Sequence, residues 1–392
     1  MSANEVYIVS AVRTPIGSYR GSLASLSATD LGSIAIKNAV ESIGLPKDAV
    51  EEVFMGNVLQ AGCGQAPARQ AALKAGLSKH TPCTTINKVC ASGMKSIVFG
   101  AQSIKLGEND VVVCGGMESM SNVPFYLRRG ELPYGGTSLI DGLVFDGLTD
   151  SFNNCHMGNC TEKVAKDYQL SREDQDNYAI SSYKRSEAAA KNGILKREIV
   201  AVTIPGARGK PAVVVEEDEE FKKIDFDKMR KLNPVFQREG GTITAANAST
   251  LSDGAAACVL MSARALKKYN ATPIAKVVAY ADAGVDPVDF GVAPAGAVTK
   301  LLKKVEKDKS DIALWEVNEA FSAVALANIK ALNLDPSKVN INGGAVSLGH
   351  PLGMSGARIV NSLAINLQKG HLGIAAICNG GGGASSILVE KL

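Results

Sequence analysis

SGMKSIVFGAQSIKLGENDVVVCGG (92–116) and SGARIVNSLAINLQKGHLGIAAICNGG (355–381) share one plan. Each opens on Ser-Gly, continues with helix-like spacing of apolar residues, and ends in an apolar strand pattern that stops at a cysteine followed by a glycine or an asparagine and glycines. Ser92 to Cys114 and Ser355 to Cys378 differ in length by one residue. A second echo lies upstream of each: EEVFMGN (51–57) and DIALWEVN (311–318) both start acidic, run as a strand and stop at asparagine. The chain therefore reads as a duplicated α/β unit, against the plainer reading of two generic strand-helix-strand segments that match by chance.

Further strand patterns cover Val6 to Val12, Glu52 to Met55, Asp110 to Cys114, Ile312 to Trp315, Val339 to Ile341 and Gly373 to Ile377. Helix patterns cover Thr29 to Ile43, Gly93 to Leu106 and Gly356 to Leu367. Residues 120 to 244 differ in character, with turn-rich sequence and charge clusters (Arg128-Arg129, Glu216 to Glu220, Lys228 to Lys231) that read as exposed. They form an insertion over the sheet ends, where open α/β folds bind ligands. The expected units are 1–119 plus 245–271, the inserted 120–244, and 272–392.

At 392 residues the chain needs more than one packed unit. Apolar residues are 46% and charged residues 21%, ordinary for a globular protein, and a net charge of +3 without a dense basic stripe disfavours nucleic acid and membrane surfaces as partners. The eight cysteines (63, 83, 90, 114, 155, 160, 258, 378) contain no CxxC pair, which argues against zinc and a disulfide framework and for a reducing compartment. The N-terminal MSANEVYIVSAVRTPIG has no leader pattern, so the expectation is a cytosolic protein or one whose leader has been removed.

Cys90, in TTINKVCASGMKSI, stands where a strand pattern gives way to a helix pattern. A helix N-terminus favours thiolate, the nucleophilic form, although a lone cysteine is more often a buried structural residue. His350 lies in the glycine-rich INGGAVSLGHPLGMSGAR, able to approach a reacting group as a base or to serve as a polar turn residue. Cys378 ends a strand pattern before Asn379 and the glycines 380 to 383, whose bare N–H groups suit an oxyanion; a phosphate cradle is the competing reading, without the Lys-Ser/Thr it needs. Asn318, in WEVNEAFS, emerges at the same sheet end, to orient water or simply to cap a turn.

NKVCASGMKS, NEAF, GGAVSLGHPLGMSGAR and CNGGGGASS occur together, in this order, in the thiolases. The resemblance runs from VYIVSAVRTPIGS at residue 6 to the C-terminus. Within the family it is strongest to the mitochondrial, potassium-activated acetoacetyl-CoA thiolases, through GGMESMSNVP, TAANASTLSDGAAA and INGGAVSLGHP. It implies the thiolase fold, two duplicated α/β halves in an α-β-α-β-α layering with an inserted loop domain. It implies reversible condensation of two acetyl-CoA to acetoacetyl-CoA, with Cys90 as acyl carrier, His350 as its base and Cys378 as the base for the second acetyl-CoA. One oxyanion hole would use His350 and a water held by Asn318, the other the N–H groups of Cys90 and Gly380. A broader-chain 3-ketoacyl-CoA thiolase is the alternative, and His156-Met157 points to the short-chain class.

By the same resemblance, His156 and Met157 should line the acyl pocket, Phe290 should wall it, and Phe321 should lie near the thioester. Tyr183, Lys223, Ile224, Asp225, Lys228 and Ser249 should follow coenzyme A, although the two lysines also read as a plain solvated face. A potassium ion would take Tyr183 and the carbonyls of Ala245, Ala246, Ala248 and Val346. No prosthetic group is implied, a homotetramer is, and the mitochondrial matrix is favoured over the cytoplasm. One departure stands out: Phe290 is followed by Gly291 where the mitochondrial type has proline, which leaves use of the 2-methyl-branched substrate less secure.

Overall fold

The computed structural model describes residues 5–206 and 211–392. In chain order the main strands are β1 (Val6–Arg13), β2 (Glu52–Gly56), β3 (Cys83–Ile86), β4 (Val111–Ser119), β5 (Ser252–Ser262), β6 (Ala275–Gly284), β7 (Ile312–Val317), β8 (Leu372–Asn379) and β9 (Gly383–Lys391). The principal helices are α1 (Ala28–Glu41), α2 (Pro67–Lys74), α3 (Ser92–Leu106), α4 (Met157–Asp167), α5 (Arg172–Lys191), α6 (Ala293–Lys304), α7 (Ser322–Leu332) and α8 (Leu352–Asn366). The strands join in the order β7-β8-β9-β6-β1-β5-β4-β2-β3. The halves meet where Val6 to Ile8 of β1 run antiparallel to Ala275 to Val277 of β6.

The order is the duplication made visible. From the junction outward, β1-β5-β4-β2 in one half matches β6-β9-β8-β7 in the other, with the outermost pair parallel in each. The two quoted stretches become α3 followed by β4, and α8 followed by β8. Val339 to Ile341 is the exception among the expected strands: it makes a single bridge, Trp315 to Val339, and then turns.

Strand alternation sorts side chains into three cores. Val6 and Ile8 of β1, with Cys258 and Leu260 of β5, face a middle core that contains Met94 and Ile97 of α3 and Ile359 and Leu363 of α8. Tyr7, Val9, Val259 and Met261 face outward onto Leu31 and Ile36 of α1 and Ala71 of α2. In the second half Trp315, Ile374 and Leu388 face Val298 and Leu301 of α6. Two outer helical layers thus flank two sheet layers around a central pair of helices. From Leu352 to Ile365 α8 is buried all round, as a helix walled by protein on every side must be.

The paired Ser-Gly dipeptides explain how close that central pair sits. A Cβ on Gly93 would lie 2.6 Å from the Gly353 carbonyl, and one on Gly356 would lie 2.5 Å from the Met94 nitrogen. Backbones at this separation admit no side chain.

Residues 120–251 leave and re-enter between the neighbouring strands β4 and β5. The acidic run there is not uniformly solvated: Asp218 is buried and takes both Arg13 guanidinium nitrogens at 2.6 and 2.8 Å, while Glu198 takes Arg13 Nε at 2.6 Å. A buried cation held on two sides pins the insertion to β1, because stripping either acid would leave charge uncompensated in the core. Among the described residues no helix is long and apolar enough to cross a membrane.

Candidate active site

Cys90 occupies the turn between β3 and α3. Val89 carries a left-handed φ of 47°, uncommon for a β-branched residue. The turn is held by Asn87 Oδ1, which accepts from the Val89 nitrogen at 3.0 Å, and by Ser92 Oγ, which accepts from the Lys88 nitrogen at 2.8 Å. Strain of this kind persists where the surroundings enforce it and is concentrated at functional sites. The Cys90 and Gly380 N–H groups are directed at the Cys90 sulfur. They lower its pKa, but burial outweighs them and pushes the thiol up to about 12. The helix-terminus argument for a resting thiolate therefore fails: Cys90 is a thiol until a base takes its proton.

His350 presents a neutral ring to the same cavity as Cys90. Its Nδ1 lies 2.6 Å from Ser355 Oγ, and Ser355 Oγ also lies 2.9 Å from the Pro351 carbonyl. With the hydroxyl donating to that carbonyl, Nδ1 carries the imidazole proton and donates to Ser355 Oγ. Nε2 is left with its lone pair, buried and without a protein partner. Burial, then Arg358, lowers the His350 pKa to about 3, which keeps the ring neutral.

Cys378, at the end of β8, is fully buried, and its thiol is raised well above the usual range by burial and then by Cys90. It packs in one cluster with Met157, Ala248, Phe290 and Phe321. Asn318 follows β7 and is 1% exposed, yet neither polar atom of its amide has a protein partner. An orphaned buried amide costs stability and calls for an explanation, which a reacting group or a water supplies. Its neighbour Glu319 is the opposite, accepting from Tyr178 Oη at 2.9 Å, Ser182 Oγ at 2.8 Å, Asn340 Nδ2 at 3.0 Å and the Val346 nitrogen at 3.1 Å.

Cys90, His350 and Gly380 line a cavity of about 750 Å³, whereas Cys378 and Asn318 are not among its lining residues. Of the residues expected along the substrate, His156, Met157, Lys223, Ser249, Phe290 and Phe321 line it, as do Ala245 and Ala248 of the expected cation loop. Tyr183, Ile224, Asp225 and Lys228 do not. Tyr183 is buried against Phe226, edge to face, and Ile224 packs on the middle core. Asp225 caps the short helix Phe226–Met229, and exposed Lys228 pairs with it at 3.0 Å.

Sequence reasoning missed several contributors. Phe236 stacks on His156 at 4.7 Å and meets Phe321 edge to face at 6.2 Å, and nothing in its local sequence marks it. Ser355 had a signal, a hydroxyl five residues after His350 in a helix start. Glu118 had one too, an acid at the end of an apolar strand. It is buried, accepts from Asn57 Nδ2 at 2.7 Å, the Val58 and Leu59 nitrogens at 3.0 and 3.1 Å, and the Gly353 nitrogen at 2.9 Å across the half boundary. Burial still pushes its carboxyl up to about 7 against those four donors.

Comparison with known proteins agrees with this geometry. The chain matches the N-terminal domain of thiolases over residues 6–264 and the C-terminal domain over residues 271–391. It is 63% identical over 389 residues to the mitochondrial acetyl-CoA acetyltransferase of Xenopus tropicalis, covering 99% of this chain and 92% of that one. The mitochondrial acetyl-CoA acetyltransferase of Homo sapiens is 61% identical over 388 residues, covering 99% of this chain and 91% of that one. The crystal structure of the Acat5 thiolase from Ascaris suum in complex with coenzyme A superposes with a TM-score of 0.95 at 54% identity, covering 99% of this chain and 100% of that one. The Bacillus anthracis acetyl-CoA acetyltransferase gives a TM-score of 0.95 at 38% identity, with 99% of each chain covered. With both halves matched along their length, the chain belongs to the thiolase family.

Proposed function

We propose that the chain is an acetyl-CoA C-acetyltransferase, joining two acetyl-CoA into acetoacetyl-CoA and CoA and catalysing the reverse thiolysis through S-acetyl Cys90. The observation that carries this reading is that Cys90 and His350, the latter neutral with an unpartnered Nε2, line one cavity while the raised Cys378 thiol is buried next to Cys90.

The protonation states set the order of events. His350 Nε2 takes the Cys90 proton, and the thiolate attacks the acetyl carbonyl, whose oxyanion meets the N–H groups of Cys90 and Gly380. The tetrahedral carbon expels the CoA sulfur, which takes a proton from Cys378. Cys378 is now a thiolate with a very high proton affinity, able to remove the α-proton of a second acetyl-CoA. The enolate oxygen rests against protonated His350 and a water held by Asn318. Its carbon attacks S-acetyl Cys90, and the departing Cys90 sulfur recovers its proton from His350. All three groups return to their resting states.

Phe290, Phe321 and Met157 close the acyl end of the cavity and support a short acyl chain; thiolysis of 2-methylacetoacetyl-CoA is included in the reading. Lys223, at the cavity wall beside Ser18 and Glu220, supports a role toward coenzyme A phosphates, with Ser249 on the same cavity; Tyr183, Ile224, Asp225 and Lys228 lie outside its lining and would meet coenzyme A only beyond it. Tyr183, Ala246 and Val346 share one packed cluster. The bonds that tie the 245–249 loop to the 320–322 segment use the carbonyls of Asn247 and Ala320 rather than those of Ala245, Ala246 or Ala248. That donor set fits a potassium ion, which would hold the loop in place. Exposed Phe125, Leu132, Tyr134 and Leu139 in the insertion support a homotetramer with 120–244 as the loop domain between halves 1–119 plus 245–271 and 272–392. The mitochondrial acetyl-CoA acetyltransferases among its relatives support a location in the mitochondrial matrix.

The test is thiolysis of acetoacetyl-CoA, its 2-methyl homologue and a long-chain 3-ketoacyl-CoA, with and without K⁺, alongside peptide mass analysis for an acetyl group on Cys90. Fastest turnover of the long-chain substrate would replace this reading with the broader-chain thiolase.

A further inference from the structure

Two cysteines outside the reaction face each other next to it. Cys155 begins a short strand, Cys155–His156, whose partner is Thr149–Asp150, and Cys160 lies in the first turn of α4. Their sulfurs are 3.3 Å apart. Neither lines the cavity, but the two residues that begin the link between them, His156 and Met157, both do. Beside the pair, Asp150 is 2% exposed; its Oδ2 accepts from the Asn153 nitrogen and side chain at 2.7 and 2.8 Å, while its Oδ1 has no protein partner.

We propose that Cys155 and Cys160 form a thiol-oxidation site, closed to a disulfide by hydrogen peroxide, that lowers acyl-CoA turnover by displacing the His156-Met157 wall. The two thiols have unequal roles. Cys155 is half-buried and reachable by a small oxidant, whereas Cys160 is buried and burial, with Cys155 next, pushes its thiol up to about 12. Cys155 therefore reacts first. Its sulfur attacks one peroxide oxygen, forming an S–O bond as the O–O bond breaks, and one water leaves with the thiol proton. The Cys160 sulfur then attacks the sulfenic sulfur, the S–S bond forms, the S–O bond breaks, and a second water carries off the remaining thiol proton. Asp150 Oδ1 is the free acceptor on hand for a thiol proton in transit. The two thiols lose two electrons and the peroxide gains them.

Bonding brings the sulfurs from 3.3 Å to about 2.05 Å, a closure of roughly an ångström shared between rotation of the two side chains and a shift of the strand toward the first turn of α4. His156 accepts from the Gly158 nitrogen at 3.0 Å as the cap of α4, and Met157 lies against Gly380. A displacement of that size beside a reacting centre can lower turnover by on the order of 10- to 100-fold. Cys90 and Cys378 are the competing targets, but both are buried thiols in the resting enzyme.

The experiment exposes the full-length enzyme to hydrogen peroxide, alkylates with iodoacetamide and digests with trypsin. The peptide 130–163 contains Cys155 and Cys160 as its only cysteines. It should appear two hydrogens lighter and unalkylated, while acetoacetyl-CoA thiolysis falls and recovers with dithiothreitol. Cys155→Ser and Cys160→Ser should each keep their activity through the same exposure. The proposal is overturned if that peptide stays fully alkylated while other cysteines oxidise. It is equally overturned if Cys155→Ser loses activity as fast as the unsubstituted enzyme. The activity arm relies on the acetyltransferase reading and the mass arm does not, so an untreated enzyme without thiolysis would count against that reading alone.

Discussion

Asn57 and Asn318 end corresponding strands in the two halves, and they do opposite things. Asn57 spends its amide inside the protein, donating to Glu118 Oε1 at 2.7 Å and to the Met117 carbonyl at 3.3 Å. Asn318 keeps both polar atoms unpartnered although it is as deeply buried. The cysteines divide in the same way. Cys114 sits in the middle core opposite Cys258 of β5, whereas Cys378 packs with Met157, Phe290 and Phe321 near Cys90. In the proposed reaction one copy of the unit acts as a support and the other keeps polar groups free to react. The first copy contributes Cys90, the proposed nucleophile, not from a strand end but from the turn before α3.

The comparison breaks first at the cysteines. Cys378→Ala should lose condensation by on the order of 10³-fold while still acquiring, more slowly, an acetyl group on Cys90 from acetyl-CoA, because the departing CoA thiolate can take its proton from water whereas the α-proton of the second acetyl-CoA has no other base. Cys114→Ala should leave turnover within about twofold and lower stability by ~1–2 kcal/mol, the cost of a small cavity in a packed core. Paired measurements of acetyl incorporation, condensation rate and denaturant midpoint check both. Normal condensation by the Cys378 variant would end the division of labour.

The asparagines should separate activity from stability. Asn318→Ala removes a donor aimed at a developing charge, so kcat should fall by about 10²-fold while stability holds or rises slightly, since the lost amide bonded to nothing in the resting protein. Asn57→Ala should do the reverse. Glu118 would lose one of its four donors, at a cost of ~1–3 kcal/mol, with kcat changed only as far as the Gly353 contact to the His350 loop relaxes. Equal loss of activity in the two variants would contradict the comparison.

Serines in the first turns of the two central helices extend it to the proposed base. Ser92 Oγ closes the Cys90 turn, and Ser355 Oγ bonds His350 Nδ1 at 2.6 Å, favouring the tautomer with Nε2 unprotonated when the hydroxyl donates to Pro351. Ser355→Ala should lower kcat by about tenfold, because a freely chosen tautomer puts the lone pair on the wrong nitrogen part of the time. A pH series checks the environment of the ring. The folded His350 pKa of about 3 lies below the value near 6.5 of an unfolded chain, so the unfolded state binds the proton first as pH falls. Its stabilising contribution is complete above about pH 6.5 and is lost toward pH 3. The stability advantage of the unsubstituted enzyme over His350→Asn should therefore shrink steadily from about pH 7 to about pH 4.

Much of this was legible in the sequence because duplication leaves two copies to compare. The spacing from Ser-Gly to cysteine recurs, and both glycines are required where the central helices touch. Cys90, His350, Cys378 and Asn318 carried short motifs of their own. The protonation state of Cys90 was not legible, since it depends on burial contributed by distant segments. Phe236 was not either: it reaches His156 from a stretch that is 80 residues further along the chain and has no periodic pattern.

The smallest effect is expected at Gly291, the residue that departs from the mitochondrial pattern. The loop it occupies is already anchored, since its carbonyl accepts from Asn328 Nδ2 at 2.7 Å and Phe290 beside it is 2% exposed. A Cβ there would approach Val324 Cγ2 at 3.1 Å and Val164 Cγ2 at 3.3 Å, a tight fit without the left-handed φ that would demand glycine. Gly291→Ala should thus change stability by within about 1 kcal/mol, lower backbone entropy working against mild crowding. Crowding of Val324 would press on Phe290 and Phe321, with which it shares a cluster, so the ratio of kcat/KM for 2-methylacetoacetyl-CoA to that for acetoacetyl-CoA should fall by no more than about threefold. A larger fall would show that the aromatic wall, rather than the duplicated scaffold behind it, sets the tolerance for a branched acyl group.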